Sequence, residues 1–148
     1  MGNVMDLLRT KGIRVLTVTP DVTVFEATAR MNAHKCGAVV VVSREQPGNV
    51  VGIFTERDVL QRVVGELRYA DLVSVSEVMT RDVTTCDRLT AIAVASQIMH
   101  DHRIRHLPVV DQAGELCGLV SIGDINAWHV HMQQSQIEQL CDYIGGRG

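Results

Sequence analysis

Two aspartates stand three residues after a hydroxyl, each at the end of an apolar run: Thr55-Glu56-Arg57-Asp58 and Ser121-Ile122-Gly123-Asp124. An ionised carboxylate has two oxygens and can accept both vicinal hydroxyls of a ribose, in charge-assisted hydrogen bonds of the stronger kind. Thr55 and Ser121 can reach the same sugar or its phosphate. A helix opening at each aspartate adds backbone N–H groups and a positive dipole end. The same spacing, Ser/Thr-x-x-acid, is also a helix capping box. Duplication does not decide between the two, because caps are duplicated too, and one carboxylate can serve both purposes.

Other chemistry is sparse. His34, His100, His102, His106 and Cys36 invite a metal reading, but His100 and His102 point to divergent faces of a helix rather than the i, i+4 face of a zinc site. No Ser-His-Asp, Cys-His or paired-carboxylate arrangement stands out, so the chain reads as a non-enzyme with no metal and no catalytic cofactor. Cys36, Cys86, Cys117 and Cys141 have no CxxC spacing and read as reduced thiols. His129 and His131 read as a solvated helix face.

The elements that must position the two aspartates occur twice. Gly52-Ile53-Phe54-Thr55 returns as Gly118-Leu119-Val120-Ser121. Met31 and His34 return as Met99 and His102, at an offset of 68 that holds to Val42 and Val110. It falls to 66 at Gly52, because the loop Ser43 to Asn49 is longer than its partner around Asp111 to Glu115. Each copy predicts a short strand (Val15 to Val18, Val83 to Thr85), then a helix. Val24, Ala27, Thr28 and Met31 fall at helical spacing, as do Ile92, Ala95, Ser96 and Met99. A strand follows (Ala38 to Val42, Leu107 to Val110), then a Gly-containing turn and a second strand, Val50 to Phe54 or Leu116 to Val120. The closing helix opens at Asp58 or Asp124. Its apolar positions are Val59, Leu60, Val63, Val64 and Leu67 in the first copy, and Ile125 and Trp128 in the second. Gly65 to Glu77 reads as a polar link. Gln133 to Tyr143 reads as a helical tail, with Ile137, Leu140, Cys141 and Ile144 at helical spacing, serving as a dimer contact or a lid. Residues 145–148 are expected to fray.

Composition narrows the class. Of 148 residues, 46% are apolar but only 3% aromatic, so Val, Ile, Leu, Ala and Met must build the core. Half the chain would bury only about 60% of its unfolded surface and be marginal alone, so the halves should share an interface. A net charge of −3 and a pI near 6.0 give no case for nucleic acid or a membrane surface. The N-terminus has no basic start and no apolar h-region, and no stretch approaches the length of a membrane span. These features predict a cytoplasmic protein.

The pattern resembles a tandem pair of CBS domains, a Bateman module. The resemblance rests on the two Gly-apolar-x-Thr/Ser-x-x-Asp segments, on Arg103-Ile104-Arg105-His106-Leu107-Pro108-Val109-Val110-Asp111, and on Val78-Met79-Thr80-Arg81-Asp82-Val83. It covers about residues 4 to 130. The chain is similar to free-standing bacterial CBS-pair proteins, some related in name to inosine monophosphate dehydrogenase, without that enzyme's catalytic barrel. The resemblance implies an α/β (α+β) fold of two β-α-β-β-α repeats packed with pseudo-twofold symmetry. Residues 4–67 would be repeat 1, 68–78 a linker, 79–132 repeat 2 and 133–148 the tail. It further implies a regulatory sensor that binds AMP, ATP or an NAD-type molecule between the repeats, acts as a homodimer, and changes shape or association for a protein target.

The resemblance also suggests how the site residues divide. Adenine needs an apolar slot with backbone hydrogen bonds along its edge. Cys36-Gly37-Ala38 and Ile104-Arg105-His106, with Pro108 beyond, hold matching positions at the start of a strand and would meet base and sugar. Ile13 and Arg81 would supply the opposite edge, with Met79 and Thr80 nearby. Arg105 and His106 stand where repeat 1 has Gly37 and Ala38. A phosphate seeks Arg above all, so a ligand whose ribose is held by Asp58 and Thr55 should have its phosphate near Arg105 and His106. A ligand at Asp124 and Ser121 would lack that pair, though Arg57 could help.

Overall fold

The repeat takes the form of two small three-stranded sheets of one pattern. The structure, a computed structural model, describes residues 2–146. In the first half, β1 (Thr17–Val18) runs parallel to β2 (Ala38–Val42), which pairs antiparallel with β3 (Val50–Thr55). In the second, β4 (Cys86–Asp87) runs parallel to β5 (His106–Val110), which pairs antiparallel with β6 (Leu116–Ser121). Parallel neighbours need a crossover, supplied here by α2 (Val24–Ala33) and α5 (Ile92–His102). Val24, Ala27 and Met31 on α2 are buried, as are Ile92, Ala95 and Met99 on α5. All five residues of β2 are buried, as expected of a strand covered on both faces. Each hairpin carries a bulge at the same place, between Val41 and Val42 and between Val109 and Val110.

The first strand of the second copy lies later than expected, at Cys86–Asp87 rather than Val83 to Thr85. Pro108 supplies the reason. Its counterpart Val40 donates its N–H to Leu16 O at 3.1 Å. A proline has no N–H to give, so the parallel pairing opens one residue further along.

Two further helices, beyond those expected, complete the cores by exchange. α1 (Val4–Lys11), at the chain start, buries Val4, Leu7 and Leu8 among Ile92, Met99, Leu107 and Val120 of the second half. α4 (Val75–Val78), in the segment expected to be a polar link, buries Val75 and Val78 beside Val24, Phe54 and Val63 of the first half. Val73 is buried there as well. The two helices are counterparts. Asn3 and Ser74 cap them through the same box with Asp6 and Glu77. Each pairs backbone to backbone with the start of the crossover helix, at Ala91 and Thr23. A Cβ built on Gly118 would meet Leu8 Cδ1 at 2.7 Å, as one built on Gly52 would collide with the Met79 thioether. The hairpin loops also touch, with Leu116 N donating to Gly48 O at 2.8 Å.

The closing helices differ. In the first half α3 (Glu56–Asp58) passes into a π turn, Val59–Val63, and a 3₁₀ turn, Val64–Glu66, that stops at Leu67 with φ 55°. A π turn breaks the 3.6 spacing, so Val63 is buried while Leu60, Val64 and Leu67 are exposed, contrary to the apolar face expected there. In the second half α6 (Ile122–Gly145) runs unbroken for 24 residues and includes the segment read as a separate tail. Ile125 is buried, and Ile137, Leu140 and Ile144 are exposed. Of the four C-terminal residues expected to fray, Gly145 ends α6, Gly146 caps it, and 147–148 lie outside the described residues. No helix among the described residues is long and apolar enough to cross a membrane.

Candidate functional site

The groove between the halves is framed by two equivalent backbone bonds. Glu56 N donates to Gly37 O at 3.1 Å, and Ile122 N donates to Arg105 O at 2.9 Å. Each fixes the first turn of a closing helix against the start of the middle strand of its own sheet.

On the first side lies a cavity of about 630 Å³. Gly37, Thr55, Arg57, Asp58, Thr80, Ile104, Arg105 and His106 line it, together with Ile53, Glu56, Leu60, Gln61, Arg62, His102 and Arg103. Asp58 is only 6% exposed. Its Oδ2 accepts Thr55 N at 2.9 Å and Thr55 Oγ1 at 3.3 Å, which is the capping box. Its Oδ1 has Arg62 Nε at 3.7 Å and no hydrogen bond among the described residues. One oxygen therefore caps the helix, and the other has only the Arg62 ion pair among the described residues. Burial raises the Asp58 carboxyl above the usual carboxylate range, against the opposing pull of Thr55, Arg62 and Arg57.

The surrounding side chains are themselves held. Arg62 Nη1 donates to Val78 O at 2.9 Å and Met79 O at 3.2 Å. Arg57 Nη1 spans the groove to Arg103 O at 3.0 Å. Thr80 continues the edge of β3, exchanging both backbone bonds with Ile53 at 2.9 and 3.0 Å. Across the groove Arg105 is exposed and His106 half-buried. Burial pushes the His106 imidazole below its usual value; Lys11 and Arg105 push it the same way, while Asp124 and Glu56 oppose them. The cavity thus joins a carboxylate oxygen, apolar side chains and basic groups, chemistry that can accept hydroxyls, an apolar ring and an anion.

The second side is built on the same plan and differently filled. Ser121 N donates to Asp124 Oδ2 at 2.8 Å, and Asp124 N to Ser121 Oγ at 3.1 Å. The same Oδ2 is in direct ion-pair contact with Lys11 Nζ, which also donates to Leu119 O at 2.8 Å. Lys11 comes from α1, one of the two helices beyond those expected. Arg57, suggested as a helper here, instead lines the Asp58 cavity.

Several expected site residues lie outside the cavity wall. Met79 is buried in the first core. Ala38 and Pro108 are buried within β2 and β5. Cys36 packs half-buried against the first core. Arg81 donates to Ser76 O at 2.8 Å, and Ile13 is exposed beyond the end of α1. Ser121 and Asp124 belong to the second side. Of the residues missed, Arg62 was readable as the i+4 partner of Asp58; Lys11 carried no such signal. His34 and His102 each place Nδ1 on the carbonyl four residues back, at 2.9 and 3.0 Å. Among the described residues no group of three or more His, Cys, Asp or Glu is placed to hold a metal ion.

The fold recurs among known proteins. The CBS domain model matches residues 4–65 and 75–130. The mitochondrial CBS domain-containing protein CBSX3 of Arabidopsis thaliana is 35% identical over 97% of this chain and 72% of its own length. The crystal structure of the CBS-domain containing protein ATU1752 from Agrobacterium tumefaciens superposes with TM-score 0.78 at 42% identity, covering 86% of this chain and 98% of that one. The CBS domain protein PAE2072 from Pyrobaculum aerophilum, solved complexed with AMP, superposes with TM-score 0.76 at 27% identity, covering 83% of this chain and 89% of that one.

Proposed function

The chain belongs to the CBS-domain family as a tandem pair, and from that premise we propose that it is a regulatory module whose Asp58 cavity holds an adenosine-containing ligand. The observation that carries this reading is the placement of Asp58 and Thr55 on one wall and Arg105 and His106 on the other. The free Asp58 oxygen takes the ribose hydroxyls. Ile53 and Ile104 supply apolar contacts for the base. Arg105 takes the phosphate in a bidentate contact, which Lys would not match. The complex of PAE2072 with AMP supports this ligand class. AMP, ATP and NAD-type molecules all present these three parts.

Because the cavity lies between the halves, a bound ligand stabilises one mutual arrangement, and a partner reads that change. The exposed stripe of Ile137, Leu140 and Ile144 on α6 supports a second copy as one such partner. No catalysis is proposed. A thermal-shift panel with AMP, ATP, NAD and S-adenosylmethionine, with GMP as control, tests the reading. A ligand at 100 times its Kd adds about 2.7 kcal/mol of stability. No shift with any adenosine ligand, or an equal shift with GMP, favours instead a structural module whose site is vestigial.

A further inference from the structure

The two aspartates are equivalent in sequence and cap but meet different cations: Arg62 Nε stands 3.7 Å from Asp58 Oδ1 at the edge of the cavity, and Lys11 Nζ is in direct contact with Asp124 Oδ2. In the first half, α4 ends at Val78, the chain extends, and Thr80 pairs with Ile53. In the second half, Leu8 takes the place of Met79 against the sheet glycine, but α1 continues as helix to Lys11. That extra turn brings the Lys11 ammonium onto Leu119 O, the carbonyl that corresponds to Ile53 O, and onto Asp124. The Lys11 side chain thus spans, between Leu119 and Asp124, the counterpart of the space that in the first half is the cavity between Ile53 and Asp58.

We propose that Lys11 is the built-in occupant of the second nucleoside position, so that the chain carries a single open nucleoside pocket, at Asp58. A ligand entering at Asp124 must break a charge-assisted contact, the stronger class of hydrogen bond. It finds no compensation across the groove, where Gly37 and Ala38 stand in place of Arg105 and His106. The side chain of Lys11 is 32% exposed, so its removal opens the position without disturbing the core. Lys11 therefore sets how many ligands the module takes. The inference rests on the proposed function only for the class of ligand.

Titration calorimetry of the full chain with adenosine tests it, since adenosine does not depend on a phosphate partner. The wild type is expected to take one adenosine per chain and Lys11→Met two. Asp58→Ala is expected to lose binding at least tenfold, and the Lys11→Met, Asp58→Ala double variant to recover one site. Lys11→Gln should give the same count as Lys11→Met, which guards against a fault in either fold. Two adenosines on the wild type, or no added site in either Lys11 variant, overturns the proposal. A wild type that binds none while Lys11→Met binds one upholds the role of Lys11 and rejects the Asp58 pocket. Absence of binding in every variant rejects both.

Discussion

Leu8 packs against Gly118 so closely that a Cβ built there would lie 2.7 Å from Leu8 Cδ1. The first helix of the chain is thus seated on the last hairpin of the fold. Removing the isobutyl group in Leu8→Ala should cost about 2–5 kcal/mol, the range for a buried leucine. Hydrogen exchange should quicken in β4–β6 and not in β1–β3. Gly118→Ala should cost about 1–3 kcal/mol by overpacking. The double variant should lose clearly less than the sum, because the new methyl enters the space that Leu8 vacates. Additive urea-denaturation energies would rule out the contact.

Asp58 should separate stability from binding. Burial raises its carboxyl pKa in the folded state, so the folded protein holds that proton more tightly than the unfolded chain does. Ionisation then opposes folding as pH rises from the ordinary carboxylate value through the raised one. Asp58→Asn removes this opposition and retains an oxygen for the cap. It should be at least as stable as wild type at pH 7, with the difference shrinking toward pH 4. Adenosine binding should nonetheless weaken by about 1.5–3 kcal/mol, the range for a hydrogen bond to a charged group. A variant less stable at pH 7 with unchanged affinity would mean that Asp58 is only a cap.

Arg105 and His106 should act on the phosphate alone. Arg105→Ala is expected to weaken AMP and leave adenosine nearly unchanged. His106 is held below its usual imidazole value, chiefly by burial. The unfolded chain therefore takes up this proton first, and the free protein should lose stability as pH falls from about 6.5, the ordinary histidine value, through the lower folded one. A phosphate nearby favours the imidazolium. AMP binding near pH 6.5 should thus take up protons, read from calorimetry in buffers of different ionisation enthalpy. The uptake should vanish in His106→Gln and with adenosine.

The cysteines should differ in reactivity. Burial pushes the Cys86 thiol up to about 12, and the thiolate is the reactive form. A maleimide at neutral pH should label exposed Cys141 first, and Cys86 only after denaturation. Rapid labelling of Cys86 in the native protein would contradict its place in the second core.

The duplicated pattern by itself determined much of this molecule. The period of Val24, Ala27 and Met31, the apolar run of β2 and the two boxes ending at Asp58 and Asp124 are local signals, and local spacing is what a sequence displays. The same offset identified Arg105 and His106 as the point where the halves diverge. Tertiary structure decided the rest. α1 and α4 do carry local signals, Val4, Leu7 and Leu8 behind the Asn3–Asp6 box and Val75, Val78 and Met79 behind the Ser74–Glu77 box, but they are short, and the sheet each one packs on is a tertiary matter. The π turn after Asp58 broke a spacing that had suggested a regular helix. Lys11 meets Asp124 across more than a hundred residues, and only the exchange of helices brings them together. The sequence presents two equal carboxylates; packing sets one beside a cavity and pairs the other with an ammonium.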